Sequence, residues 1–242
     1  MNIIIPAAGL GSRFSNAGYT DPKPFIKFNG KTMLEHAIAN LHIQNARYIV
    51  LLREEHIQEH SNDIEAVSQN YNIEIVPIKQ VTEGACCTVL LARKFIQSAT
   101  PLLIANVDQI VDGGIQSFIE NAQNRKLEGS IMTFEDNDKK WSYAKLDSNG
   151  LVTQVREKEV ISNYATVGIY WFSSGNLFIN AAIDMIANNE RVNNEFYVCP
   201  VYNYAIKGGA KIGIYNIEKS QMNGIGTPDD LNNYIKKTFA SV

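Results

Sequence analysis

Asn2-Ile3-Ile4-Ile5-Pro6-Ala7-Ala8-Gly9-Leu10-Gly11-Ser12-Arg13 is the stretch whose reading decides the fold. A short apolar run breaks into small residues and glycines, as a buried strand does when it enters a tight turn. Backbone N–H groups in such a turn can cradle phosphate oxygens, and Arg13 adds a fork of charged donors. The turn is not the dinucleotide-binding fingerprint, because Phe14 stands at the third glycine position. Gly30-Lys31-Thr32 looks like the end of a P-loop, but Phe25 occupies the place of its first glycine.

Outward from this turn, the chain alternates strands with helices. Apolar residues at Met33, Ala37, Ile38 and Leu41 predict a helix over Thr32–His42, with Thr32 as N-cap and Glu35 completing the cap. Strands follow at Arg47–Leu52, Asn72–Pro77 and Pro101–Ala105, with helical stretches at Glu54–Asn70, Ala85–Gln97 and Ile115–Asn124. This rhythm implies a parallel sheet that binds ligands at the carboxyl ends of its strands. Asn106-Val107-Asp108 falls at one such end, so Asp108 and the glycine-rich turn can share a crevice.

After Gly129 the pattern becomes strand-rich: Ser130–Phe134, Tyr143–Asp147, Leu151–Arg156 and Thr166–Phe172, with Asn149-Gly150 as a hairpin turn. Helices recur at Gly175–Asn188 and Val201–Lys207, then a strand at Lys211–Ile217 and a last helix from Pro228. No repeat, linker or boundary interrupts the chain. The expectation is one domain over 1–242, with a nucleotide-binding half (1–125) and an acceptor-binding half (126–242).

The 242 residues are 45% hydrophobic and 19% charged, with a formal net charge of −3. That is enough apolar material for a large core. No basic block marks a nucleic-acid partner. No apolar run is long enough for a bilayer, and the N-terminus lacks a signal peptide's positive region. The three cysteines, Cys86, Cys87 and Cys199, have no metal-ligand spacing and suit a reducing cytoplasm as core or loop residues.

Several ordered motifs resemble the sugar-nucleotide pyrophosphorylases, nucleotidyltransferases with a glycosyltransferase-A-like fold. They are Pro6–Arg13, Pro22-Lys23-Pro24, Asn106-Val107-Asp108, Glu157-Lys158, Val167-Gly168-Ile169-Tyr170 and Gly226-Thr227-Pro228-Asp229-Asp230-Leu231. The resemblance implies a three-layer, Rossmann-like α/β fold with a mixed, mainly parallel central sheet. It implies transfer of a nucleotidyl group from a nucleoside triphosphate to a sugar 1-phosphate or other phosphorylated small molecule, with release of pyrophosphate. Shorter relatives of this kind serve capsule and other surface-polysaccharide pathways. Arg13, Lys23 and Asp108 are the implied catalytic residues, with Asp108 as ligand for Mg²⁺. Ala7, Ala8, Gly9, Gly11, Gln80 and Gly84 are implied at the nucleotide, and Glu157, Lys158, Gly168, Asn194 and Glu195 at the acceptor. Such a reaction joins two polyanions, so it asks for positioning and charge neutralisation rather than a protein nucleophile.

One departure concerns the metal. Gly224, preceded by Asn223, stands where many members of that family carry a second metal-binding Asp. It leaves room for a non-catalytic nucleotide or sugar sensor, and the resemblance also leaves open a CTP-dependent cytidylyltransferase for a non-sugar phosphate or a glycosyltransferase of the same fold. The glycosyltransferase lacks its usual Asp-x-Asp, since Asn106 comes first. The chain's short run after Leu231 also disfavours an appended acyltransferase domain. His56-Ile57-Gln58-Glu59-His60 fits the zinc pattern H-x-x-E-H, but on a polar stretch without a third ligand it reads as a solvated helix face. His36 and His42 read as helix-surface residues. Trp141 and Trp171 read as packing residues, with Trp141 also placed to line an acceptor pocket.

Overall fold

The computed structural model describes residues 1–239. Its strands are, in order, β1 (Asn2–Pro6), β2 (Lys27–Phe28), β3 (Lys31–Thr32), β4 (Arg47–Arg53), β5 (Ile73–Ile78) and β6 (Leu102–Ala105). They continue as β7 (Gln109–Val111), β8 (Gly129–Glu135), β9 (Ser142–Leu146), β10 (Val152–Glu157), β11 (Tyr164–Phe172), β12 (Ile212–Ile217) and β13 (Met222–Gly224). In the main sheet β1 lies between β4 and β6, parallel to both, and β5 extends the edge beyond β4. β11 runs antiparallel beside β6 and carries β8, with β12 parallel to β8 at the far edge. The β9–β10 hairpin joins β11 at Ala165. The sheet is therefore mixed, mainly parallel, and threads both halves of the chain.

The period-two pattern of the strands explains the layers. Ile3 and Ile5 feed one apolar cluster with the Met33–Asn40 and Ile115–Asn124 helices, whereas Ile4 feeds another with the Ala85–Leu91 and Gly175–Ala187 helices. Tyr48, Val50 and Leu52 against Ile49 and Leu51 repeat the alternation in β4. A sheet buried on both faces reads as a continuous hydrophobic run, as β1 and β4 do. This is the expected three-layer α/β architecture.

Local chemistry accounts for most element ends. Thr32 Oγ1 accepts from Glu35 N at 3.1 Å, the expected N-cap. In the β9–β10 turn, Asp147 Oδ1 accepts from the N–H groups of Asn149 (2.8 Å) and Leu151 (2.9 Å), and Gly150 takes φ 74°. Two helices are shorter than their patterns predict. The Glu54–Asn70 stretch breaks at His60 (φ −115°, ψ 30°) into Glu54–Glu59 and Ser61–Ser68. The Ala85–Gln97 stretch breaks at Ala92 into Ala85–Leu91 and Arg93–Ile96. Two small ladders had no sequence signal: β2 with β3, and β7 with β13. The second matters for function, because it lays Gly224 opposite Gln109, the residue after Asp108.

Candidate active site

A cavity of about 1080 Å³ opens at the carboxyl ends of β1, β6 and β8. Its wall holds Arg13, Asn106, Asp108, Glu157, Lys158 and Gly168, which come from four separate segments. Of the sequence-predicted charges, Arg13, Asp108, Glu157 and Lys158 line this cavity, and Lys23 reaches it through its pair with Asp108.

The β1 turn brings Arg13 onto the wall, while Ala7, Ala8, Gly9 and Gly11 do not line the cavity. Ala7 and Ala8 are buried, Gly9 is exposed, and Gly11 adopts φ 62°. A Cβ on Gly11 would come to 3.0 Å from Lys23 Cβ, so the bare backbone is what lets the two segments pack. Arg13 is exposed on the cavity wall, and no carboxylate among the described residues pairs with it. Lys23 begins a 3₁₀ turn over Lys23–Phe25, and its ammonium donates to Asp108 Oδ2. Each of these two side chains keeps 20% of its surface exposed, so both remain within reach of a ligand.

Asp108 is framed by backbone. Its carbonyl accepts from Ile225 N at 2.9 Å, and Gly226 lies so close that a Cβ there would sit 2.7 Å from Asp108 Oδ2. Gly224 lines the cavity and its Cβ position is nearly open. Asn223 does not assist Asp108. Its Oδ1 accepts from Lys237 Nζ at 2.7 Å and its amide bonds Gln221 O at 3.2 Å, so its oxygen is engaged away from the site. Among the described residues no group of three or more His, Cys, Asp or Glu could hold a metal. Asp108 offers a single hard carboxylate at the strand end, which fits an ion completed by ligand phosphates and water and does not fit a cage of protein ligands.

The opposite wall comes from β10 and β11. Glu157 ends β10, and Ser142 Oγ donates to it. Burial raises the Glu157 pKa above its ordinary value, against the lowering effect of Ser142 and Lys158, and Glu195 raises it further. Lys158 sits at φ 57° with its ammonium in the open and donates to Tyr197 Oη at 2.8 Å. Burial, with Glu195 beside it, pushes the Tyr197 phenol well up. Gly168, at φ 91°, marks a register shift in β11. A Cβ there would meet Gln109 Oε1 at 2.1 Å and Asn106 Nδ2 at 2.5 Å, so the glycine admits two carboxamides to the cavity wall. The Gln109 oxygen is buried without a hydrogen-bond partner.

Other expected residues lie beside the cavity, not on it. Gln80 is exposed off the wall, whereas Ala85, which opens the next helix, is on it. Gly84 takes φ 120°, and a Cβ there would sit 2.5 Å from the Phe196 oxygen. Asn194 and Glu195 are exposed in the Val192–Glu195 turn and are not brought onto the wall. Gln109, Tyr197 and the Asp136–Lys219 pair (2.8 Å) line the cavity without having been singled out. Only Gln109 had a usable signal, its place next to Asp108. Trp141 is on the wall, packed edge-to-face on Phe134 at 5.3 Å. Cys86 and Cys199 are buried thiols whose pKa values burial raises, so neither is poised as a nucleophile. No described helix is long and apolar enough to cross a membrane.

Known proteins share this fold. A nucleoside-diphosphate-sugar pyrophosphorylase from Vibrio cholerae superposes with a TM-score of 0.87 at 25% identity, covering 97% of this chain and 99% of that one. The mannose-1-phosphate guanylyltransferase catalytic subunit beta of Drosophila melanogaster is 25% identical over 176 aligned residues, 70% of this chain and 47% of that protein. The bifunctional protein GlmU of Methanococcus maripaludis is 26% identical over 252 aligned positions, all of this chain and 56% of that protein. The chain thus spans about half the length of these curated relatives. The sequence model of the nucleotidyl transferase family matches residues 2–238, and the chain belongs to that family of enzymes.

Proposed function

We propose that this nucleotidyltransferase joins the α-phosphate of a nucleoside triphosphate to the phosphate of a sugar 1-phosphate and releases pyrophosphate. The observation that carries the reading is the meeting of Arg13 and the Lys23–Asp108 pair with Glu157 and Lys158 around one cavity. One set of charges suits a triphosphate and the other a phosphorylated acceptor, and about 1080 Å³ can hold both. The 25% identical Vibrio cholerae protein, matched along nearly its whole length, supports a sugar phosphate as the acceptor.

In the reaction an acceptor phosphate oxygen attacks the α-phosphorus. The bond from that phosphorus to the oxygen bridging to the β-phosphate breaks, and its electrons leave with pyrophosphate. Arg13 and Lys23 offset the charge of the triphosphate, and Lys158 that of the acceptor phosphate. Glu157 offers a partly desolvated carboxylate to a sugar hydroxyl, where a charged hydrogen bond is stronger than in water. Asp108 would hold Mg²⁺, which would supply Lewis-acid charge neutralisation. Lys23 now neutralises Asp108; in the loaded site its ammonium turns to the phosphates. A place in surface-polysaccharide precursor synthesis, in the cytoplasm, is the setting this chemistry suits.

The test is a screen of ATP, CTP, GTP, UTP and dTTP against phosphorylated sugars and polyols with Mg²⁺, read by pyrophosphate release. Acceptor-dependent release supports the reading and names base and acceptor. Release with a polyol phosphate only would transfer the acceptor assignment to a non-sugar. Nucleotide binding without turnover across the panel would argue for a sensing role.

A further inference from the structure

The His56–His60 motif has no part in the reaction above, yet one of its histidines is placed with care. His60 leaves helical geometry between the Glu54–Glu59 and Ser61–Ser68 helices, which frees its ring. That ring lies flat on Phe25, with centroids 4.2 Å apart and planes 7° from parallel. Its Nδ1 is 3.3 Å from Asp63 Oδ2, and Asp63 Oδ1 is 2.9 Å from Lys27 Nζ. Phe25 is fully buried and closes the turn that Lys23 opens. One helix corner therefore grips the Lys23–Lys27 segment twice, through a ring stack at Phe25 and an ion pair at Lys27. Gly11 packs against the start of the same segment, at Lys23. His56 takes no part: its Nδ1 is buried without a partner, and Glu55 is its ionic neighbour at 3.6 Å.

We propose that His60 and Asp63 are positioning residues, a clamp that sets the backbone of the Lys23 turn so that the Lys23 ammonium reaches the Asp108 end of the cavity. The proposal rests on the reading of Lys23 as a triphosphate-binding residue. A lysine has a long flexible stem, so the clamp acts by fixing where that stem starts and by sparing the entropy of ordering it.

Inorganic tripolyphosphate with Mg²⁺ is a suitable probe, because it needs no knowledge of the base. Its binding would be titrated calorimetrically in the full chain carrying His60→Ala, His60→Phe or Lys27→Ala, each also in a Lys23→Met background, with thermal melts alongside. The clamp predicts about tenfold weaker binding in His60→Ala and Lys27→Ala, partial recovery in His60→Phe, which keeps a flat ring, and no further loss once Lys23 is Met. Losses of equal size in both backgrounds would overturn it, since they would report general loosening of the fold. So would unchanged binding in His60→Ala and Lys27→Ala while Lys23→Met weakens it. If Lys23→Met itself binds normally, the Lys23 reading falls and takes the clamp with it. Should His60→Ala fail to fold, Lys27→Ala decides, because the Lys27 side chain is 58% exposed and supports no core.

Discussion

Gly226→Ala is the substitution whose effect the structure specifies most narrowly. The new Cβ would stand 2.7 Å from Asp108 Oδ2, whereas ordinary contact begins near 3.4 Å, so the carboxylate must retreat by about 0.7 Å. Gly226 does not need a positive φ, so no backbone strain is added, and replacing glycine stiffens the unfolded chain. The Asp108 side chain is part-exposed and can rotate. Stability should therefore change by about 1 kcal/mol or less. Misplacing a reactive group by a substantial fraction of an ångström costs about ten- to a hundredfold in rate, roughly 1.4–2.7 kcal/mol of barrier. Gly224→Ala is the control: its Cβ would meet only Met222 Cε at 3.9 Å, and activity and stability should both stay near wild type. The assay pairs urea melts with kcat/KM for pyrophosphate release. A Gly226→Ala enzyme as active as wild type and equally stable would refute the placement of Asp108 at the reacting phosphates.

Gly168→Ala forces a side chain into φ 91° and onto Asn106 and Gln109; the strain and overpacking sum to about 2–5 kcal/mol, visible as a lowered urea midpoint. Gly84→Ala drives a Cβ against the Phe196 backbone, which has no side-chain freedom to yield, and should cost about 4 kcal/mol or more or prevent folding, as read by circular dichroism. Glu157→Gln separates stability from function. Because burial raises the Glu157 pKa, the folded chain holds that proton more tightly than the unfolded one. Its contribution is greatest below about 4.5 and is lost as pH rises through the raised value. The Gln variant lacks this loss, so its stability relative to wild type should increase between acidic and neutral pH, while acceptor KM rises about tenfold or more.

Most of the architecture is legible because it is written in local patterns. The isoleucines of β1 and the Tyr48–Leu52 run of β4 alternate between two cores and announce a sheet covered on both faces. Strand ends then place the Arg13 turn and Asp108 together without further information. What was illegible depends on contacts between distant segments. Lys23 and Asp108 are separated by 85 positions, and nothing local announces their pairing. The helix break at His60 goes with its ring stacking on Phe25, a long-range contact that periodicity over Glu54–Asn70 does not encode. His36, expected on a helix surface, is partly buried and stacks on Phe28 at 3.9 Å, because the β2–β3 hairpin that covers it had no signal. At Gly84 a second requirement for glycine was not legible: the Phe196 backbone, distant in sequence, leaves no room for a side chain.

The most direct test of the account is ³¹P nuclear magnetic resonance of the reaction mixture, using the triphosphate and acceptor found by screening. The expected product is a new diphosphate in which the nucleotide α-phosphorus is bonded through oxygen to the acceptor phosphorus. It should form mole for mole with pyrophosphate, and both products should disappear with EDTA or Asp108→Ala. Conversion of the triphosphate to free nucleoside mono- or diphosphate, with the acceptor phosphorus unchanged, would contradict it.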